Sequence, residues 1–122
     1  MLKVLIADDD PDIRMLLRRV LRTLDCDSFE ARNGIEAEQL AKELHPDLIL
    51  LDIMMPIQDG YETCIRLRTQ NYTGAIIMVS ALRADSEKAK SQRVGANAYI
   101  QKPITKDILG LHINHIRTHL IS

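Results

Sequence analysis

Five polar residues stand at or just beyond the ends of short apolar runs: Asp8 and Asp9 after Leu2–Ala7, Asp52 closing Asp47–Asp52, Ser80 after Ala75–Val79, and Lys102 after Ala98–Ile100. Gathered in one place, they would offer carboxylates, a hydroxyl and an ammonium. Clustered carboxylates repel one another unless a cation neutralises them. Donors that are all oxygen suit a hard ion, and Mg2+ combines one or two carboxylates with phosphate oxygens of a substrate. A lysine and a serine hydroxyl beside such an ion would complete a phosphoryl-binding pocket. Asp52 could then act as a nucleophile and carry a phosphoryl group as a mixed anhydride. Catalysis would rest on positioning and charge neutralisation.

Those residues converge only if the chain between them folds back after each run. Pro11 suits the first turn of a helix, and Asp10 before it suits the cap. Ile13, Leu16, Leu17, Val20, Leu21 and Leu24 follow with the spacing of a helical stripe, opposite Arg14, Arg18, Arg19 and Arg22. Residues 27–31 alternate polar and apolar, as an edge strand does, and Asn33-Gly34 signals a turn. Ala37, Leu40, Ala41 and Leu44 mark a second helix face, ended by His45-Pro46. The run 47–52 is too short for a buried helix and fits a strand covered on both faces.

A loop over 54–59 leads to a third helix over 61–68, and 71–74 turns into a strand over 75–79. A polar helix over 85–94 stops at Gly95, a good left-handed cap. A last strand covers 98–100, and a final helix over 105–120 carries Leu109, Ile113, Ile116 and Leu120 on one face. Five strands alternating with five helices, uninterrupted over 1–122, predict a single α/β domain. Right-handed crossovers point to a doubly wound, flavodoxin-like parallel sheet in the order 2-1-3-4-5, with its ligand site beyond the strands' C-terminal ends.

The segments Val4–Asp10, Asp47–Pro56, Asp59-Gly60, Ser80-Ala81, Gly95-Ala96 and Lys102-Pro103, in this order and spacing, resemble the receiver domains of two-component response regulators, of the single-domain chemotaxis-regulator kind. The resemblance covers essentially the whole chain. It implies that Asp52 is the phosphoacceptor and that Asp9, with Asp8 directly or through water, ligates Mg2+ together with Asp52 and the Met54 backbone carbonyl. It further implies that Lys102 contacts the phosphoryl group, that Ser80 and Tyr99 are the switch pair, and that the peptide before Pro103 is cis. The phosphodonor would be a sensor histidine kinase or a histidine phosphotransfer protein. Phosphorylation would reshape the surface of the fourth helix, fifth strand and fifth helix, which would control a downstream effector, a homodimer or an output domain outside this chain. Met54 and Leu82 stand where family members flank the path of hydrolytic water. Both are apolar, which predicts slow self-dephosphorylation.

Other readings of the same residues remain open. A phosphatase using Asp52 would want an acid two residues later, where this chain has Met54. A flavin carrier of this architecture would want a phosphate-cradling Gly/Ser/Thr loop after the first strand, and none follows. An interaction module of receiver fold that no longer uses phosphate is the remaining alternative, and a fold alone does not decide among these. Enzymatic activity is expected only as self-phosphorylation from a phosphodonor and self-dephosphorylation.

With 16 Lys+Arg against 17 Asp+Glu the chain has no basic footprint for nucleic acid, and no apolar run is long enough to span a membrane. A cytoplasmic location is expected, with Cys26 and Cys64 as free thiols rather than a disulfide. His112, His115 and His119 share a helix face that could bind a transition metal, although a solvated helix end accounts for them as well. Ile108 and Leu111 could flank the core or form a small exposed patch, and Arg83, Lys88, Lys90 and Arg93 form a basic stripe.

Overall fold

Four helices begin on side-chain caps that the sequence supplies, one of them Thr105, whose hydroxyl accepts from the Ile108 N–H at 3.2 Å. The Asp10, Asn33 and Asp59 carboxyl or amide oxygens accept from the backbone N–H of Asp12, Glu36 and Glu62 at 2.9, 2.9 and 2.8 Å. Each satisfies a donor that a helix start leaves orphaned. In the computed structural model, which describes residues 1–119, strands and helices alternate without exception. They are β1 (Leu2–Ala7), α1 (Pro11–Thr23), β2 (Cys26–Ala31), α2 (Gly34–Leu44), β3 (Leu48–Asp52), α3 (Gly60–Thr69), β4 (Ala75–Ser80), α4 (Ala84–Arg93), β5 (Ala98–Gln101) and α5 (Lys106–His119). The predicted boundaries hold to within two residues except at the start of α2, where Gly34, read as part of a turn, is already the first helical residue behind the Asn33 cap. Leu120, expected on the face of α5, lies outside the described residues.

All strand pairs are parallel, and the sheet order is β2-β1-β3-β4-β5. The period of two along each strand sorts the core into two layers. Val4, Ile6, Leu48, Leu50, Ile77 and Val79 face α1 and α5, meeting Leu17, Leu21, Leu109, Ile113 and Ile116. Leu5, Ala7, Ile49, Leu51, Ile76 and Met78 face the other side, meeting Ala37, Ala41, Cys64 and Leu67 from α2 and α3. The central strands are buried on both faces, which is why β3 reads as an unbroken apolar run.

Two helix faces differ from the periodic reading. Leu16 belongs to the predicted stripe of α1 but is half exposed, because the stripe is wider than the strip of sheet it covers and only Leu17 and Leu21 are fully buried. The buried face of α2 is Gly34, Ala37, Glu38 and Ala41, so the face is turned toward a glutamate while Leu40, on its other flank, is only partly buried. Gly95 follows the C-cap of α4 with φ +107°, the left-handed backbone its position predicted. Both cysteines are buried and free.

Candidate functional site

The register of the sheet brings the polar strand ends to one edge. Ala7 pairs with Leu51, Asp52 with Val79, and Ser80 with Gln101, so β1, β3, β4 and β5 end side by side. Beyond them, one ligand oxygen from each of Asp8, Asp9 and Asp52 lies within 4.8 Å of the others. Asp8 and Asp52 are buried and Asp9 is exposed.

Lys102 reaches this cluster from beyond β5. Its Nζ donates to Asp8 Oδ2 at 2.8 Å and to Asp52 Oδ2 at 3.3 Å. Its backbone N–H donates to the Ser80 carbonyl at 2.8 Å, and the peptide between Lys102 and Pro103 is cis, as the resemblance implied. Burial pulls the ammonium pKa down, but Asp8 and Asp52 outweigh it and hold Lys102 above its ordinary value. The other oxygens of the two buried acids take backbone donors: Asp10 N–H to Asp8 Oδ1 at 2.9 Å, and Met54 N–H to Asp52 Oδ1 at 3.3 Å. Burial, then repulsion from Asp8, raises the Asp52 carboxyl from 3.8 to about 6, against the opposing pull of Lys102.

Two backbone features hold the edge in place. Gly60 N–H donates to the Ile53 carbonyl at 2.8 Å, and any Cβ at Gly60 would fall 2.2 Å from the Asp52 carbonyl oxygen. The loop after Asp52 therefore closes tightly only with glycine there. Arg14, one of the four arginines opposite the apolar stripe, donates to the Asp8 carbonyl at 2.7 Å and pairs with Glu30 at 2.9 Å. A stripe of four arginines does not reveal which one turns inward.

The donor set fits a hard divalent ion. Each carboxylate oxygen that accepts one hydrogen bond keeps a second lone-pair direction. One lysine against three carboxylates leaves negative charge uncompensated, and every available donor is oxygen.

Ser80 is buried, and its Oγ accepts from Leu82 N–H at 3.3 Å. The Tyr99 hydroxyl donates to the carbonyl of the same Leu82, so both predicted switch residues meet on the segment after β4. Tyr99 is half-buried against the layer containing Met78 and Leu82. Met54 is 62% exposed at the mouth of the site and Leu82 is half-buried. The histidines lie away from this edge. His115 and His119 stack with ring centroids 4.2 Å apart, and they are exposed while His112 is half-buried. Leu111 is 71% and Ile108 40% exposed, so they form surface on α5 rather than core. Arg83, Lys88, Lys90 and Arg93 are exposed as well.

Comparison with known proteins agrees with this geometry. Residues 4–114 match the response regulator receiver domain. The chain is 37% identical over 115 residues to the sensor protein EvgS of Escherichia coli (strain K12), covering 94% of this chain but only 10% of that protein's length. It is 38% identical over 104 residues to the chemotaxis protein CheY of Halobacterium salinarum, covering 85% of this chain and 87% of that one. The receiver domain of the Francisella response regulator 1452 superposes with a TM-score of 0.90 at 32% identity, covering 97% of this chain and 98% of that one. With a family match over nearly its whole length, the same parallel sheet and an acidic cluster at the sheet's C-terminal edge, this chain belongs to the receiver domains of two-component response regulators.

Proposed function

We propose that this chain is a phosphorylation switch over residues 1–122, with Asp52 as its phosphoacceptor. Receiver domains are phosphorylated by histidine kinases, accept the group without a separate catalytic activity, and bind Mg2+ at an acidic pocket. The observation that carries the reading is Asp52 buried at the strand edge with Lys102 at 3.3 Å and Asp8 and Asp9 beside it. The phosphodonor is a phosphohistidine on a sensor kinase or phosphotransfer protein, and the chain acts in the cytoplasm.

An oxygen of the Asp52 carboxylate attacks phosphorus. The new P–O bond forms as the P–N bond to the donor imidazole breaks, and the imidazole keeps the electron pair and takes a proton. Asp8, Asp9, Asp52 and the Met54 carbonyl would hold Mg2+, which when bound neutralises the acids and the phosphoryl oxygens. Lys102 is placed to transfer its hydrogen bond from Asp52 to a phosphoryl oxygen. Ser80 would donate to another and give up its bond with Leu82. Because Tyr99 is tied to the same Leu82, moving that segment carries the signal to the surface of α4, β5 and α5. A downstream effector or a second copy would read the change there.

Incubation with Mg2+ and acetyl phosphate followed by intact-mass measurement tests the reading. Gain of one phosphoryl group by the parent and none by Asp52→Asn is the expected result. A folded parent that gains nothing would instead leave the interaction module that needs no phosphate. The apolar pair Met54 and Leu82 predicts a long-lived phosphoryl group, and Leu82→Glu should shorten its life about tenfold by orienting a water. A parent that already loses its phosphate within seconds would count against that.

A further inference from the structure

The loop that presents Met54 to Asp52 contains a strained turn. Gln58 N–H donates to the Pro56 carbonyl at 2.8 Å, which closes a three-residue turn with Ile57 at φ +73°. A β-branched residue avoids that backbone, and it persists only where the surroundings over-determine it. The Ile57 side chain is 75% exposed, so its own packing does not hold it. The residues on either side are anchored. Met55 is buried in the core layer of α2 and α3, and Gln58 is buried at 7% exposure and hydrogen-bonded through its side-chain amide.

The Gln58 Nε2 amide donates to Glu38 Oε2 at 2.7 Å and to Thr63 Oγ1 at 2.9 Å. Glu38, on the buried face of α2, is itself 7% exposed. It accepts further from Arg66 Nε of α3 at 3.0 Å and from Gln70 Nε2, just past the end of α3, at 2.9 Å. No side-chain nitrogen or oxygen buried among the described residues lacks a partner. A saturated charged network is a directional anchor, whereas an apolar side chain can slide.

We propose that Gln58, clamped by Glu38, is a positioning residue for phosphoryl chemistry at Asp52. The clamp fixes the far end of the strained turn. With Met55 and Gly60 it holds the backbone of residues 53–59 so that the Met54 peptide meets the Asp52 carboxylate. This inference rests on the phosphoacceptor reading above. It adds that α2, which carries none of the acidic cluster, sets the geometry of the site through one buried carboxylate.

The experiment compares the parent with Gln58→Ala and with the reversed pair Glu38→Gln/Gln58→Glu, in which the amide and the carboxylate exchange places. Circular dichroism checks folding. The Met54 amide resonance and its exchange protection in metal-free protein report the loop, and titration with MgCl2 reports the site. Gln58→Ala should shift and deprotect the Met54 amide and weaken Mg2+ binding about tenfold. The reversed pair should recover both. If Gln58→Ala fails to fold, Gln58→Met fills the same space without the hydrogen bonds and should show the same loss. A folded Gln58 variant with the parent's Met54 amide and Mg2+ affinity overturns the proposal, and so does a reversed pair that rescues nothing. Phosphorylation of the parent by acetyl phosphate is followed in parallel. Its absence would count against the phosphoacceptor reading itself, and a normal parent beside unchanged Gln58 variants would count only against the clamp.

Discussion

Asp52 is costly to the metal-free fold because it is buried beside a second carboxylate. Its carboxyl is raised to about 6 from an ordinary 3.8, so between those values the folded chain binds a proton that the unfolded chain releases. Stability therefore falls as pH rises through that window, and the full cost is present above it. Asp52→Asn should stabilise the metal-free protein by roughly 1–2 kcal/mol at about pH 7. The advantage should disappear as pH falls toward 4, as urea melts at a series of pH values would show. An unchanged or lower midpoint at neutral pH would mean that Lys102 compensates the charge fully. Lys102 has the opposite balance: its ammonium gains two partners, and Lys102→Ala would leave Asp8 and Asp52 facing each other.

Among the elements, α2 and α3 are joined by charge as well as by packing. Burial would push Glu38 up, but hydrogen bonds from Gln58, Arg66 and Gln70 outweigh it and hold its carboxyl below the ordinary 4.5. A depressed carboxyl contributes stability above its unfolded value and loses it as pH falls through the folded one. The acid limb of the stability profile, below pH 4.5, should therefore flatten in Glu38→Gln. A limb identical to the parent's would show that the contact contributes nothing in solution. The start of α3 is constrained differently. Gly60→Ala places a methyl 2.2 Å from the Asp52 carbonyl oxygen, inside any allowed contact. The backbone must move, and the variant should lose both stability and phosphoacceptance, measured by thermal melts and intact mass. Loss of the α1 cap in Asp10→Ala should cost only about 1 kcal/mol.

Over the whole molecule, the two apolar layers enclose a sheet whose centre is sealed and whose acidic edge opens to solvent. An ion that binds only the folded chain stabilises it by mass action, about 2.7 kcal/mol at a hundred times the dissociation constant. The melting temperature of the parent should climb with MgCl2 and that of Asp9→Asn much less. Equal climbs would place the ion elsewhere. Leu111 and Ile108 on α5 and the basic residues of α4 lie on the surface that the proposed switch would reshape. Among the described residues no helix is long and apolar enough to cross a membrane.

The sequence by itself determined the order of elements, the parallel sheet and the gathering of Asp8, Asp9, Asp52, Ser80 and Lys102. Each of these follows from local signals: a period of two or 3.6, a cap, a glycine, a polar residue at the end of an apolar run. The same signals misjudged Leu16, because periodicity shows a helix face but not how much sheet lies opposite to cover it. The roles of Arg14 and of the Glu38–Gln58 pair were decided by tertiary structure alone. Glu38 falls on the buried turn of α2 between Ala37 and Ala41, which was the one visible sign. Its partner Gln58 lies twenty residues away in the loop before α3, and neither residue closes an apolar run, the pattern that marked the acidic edge.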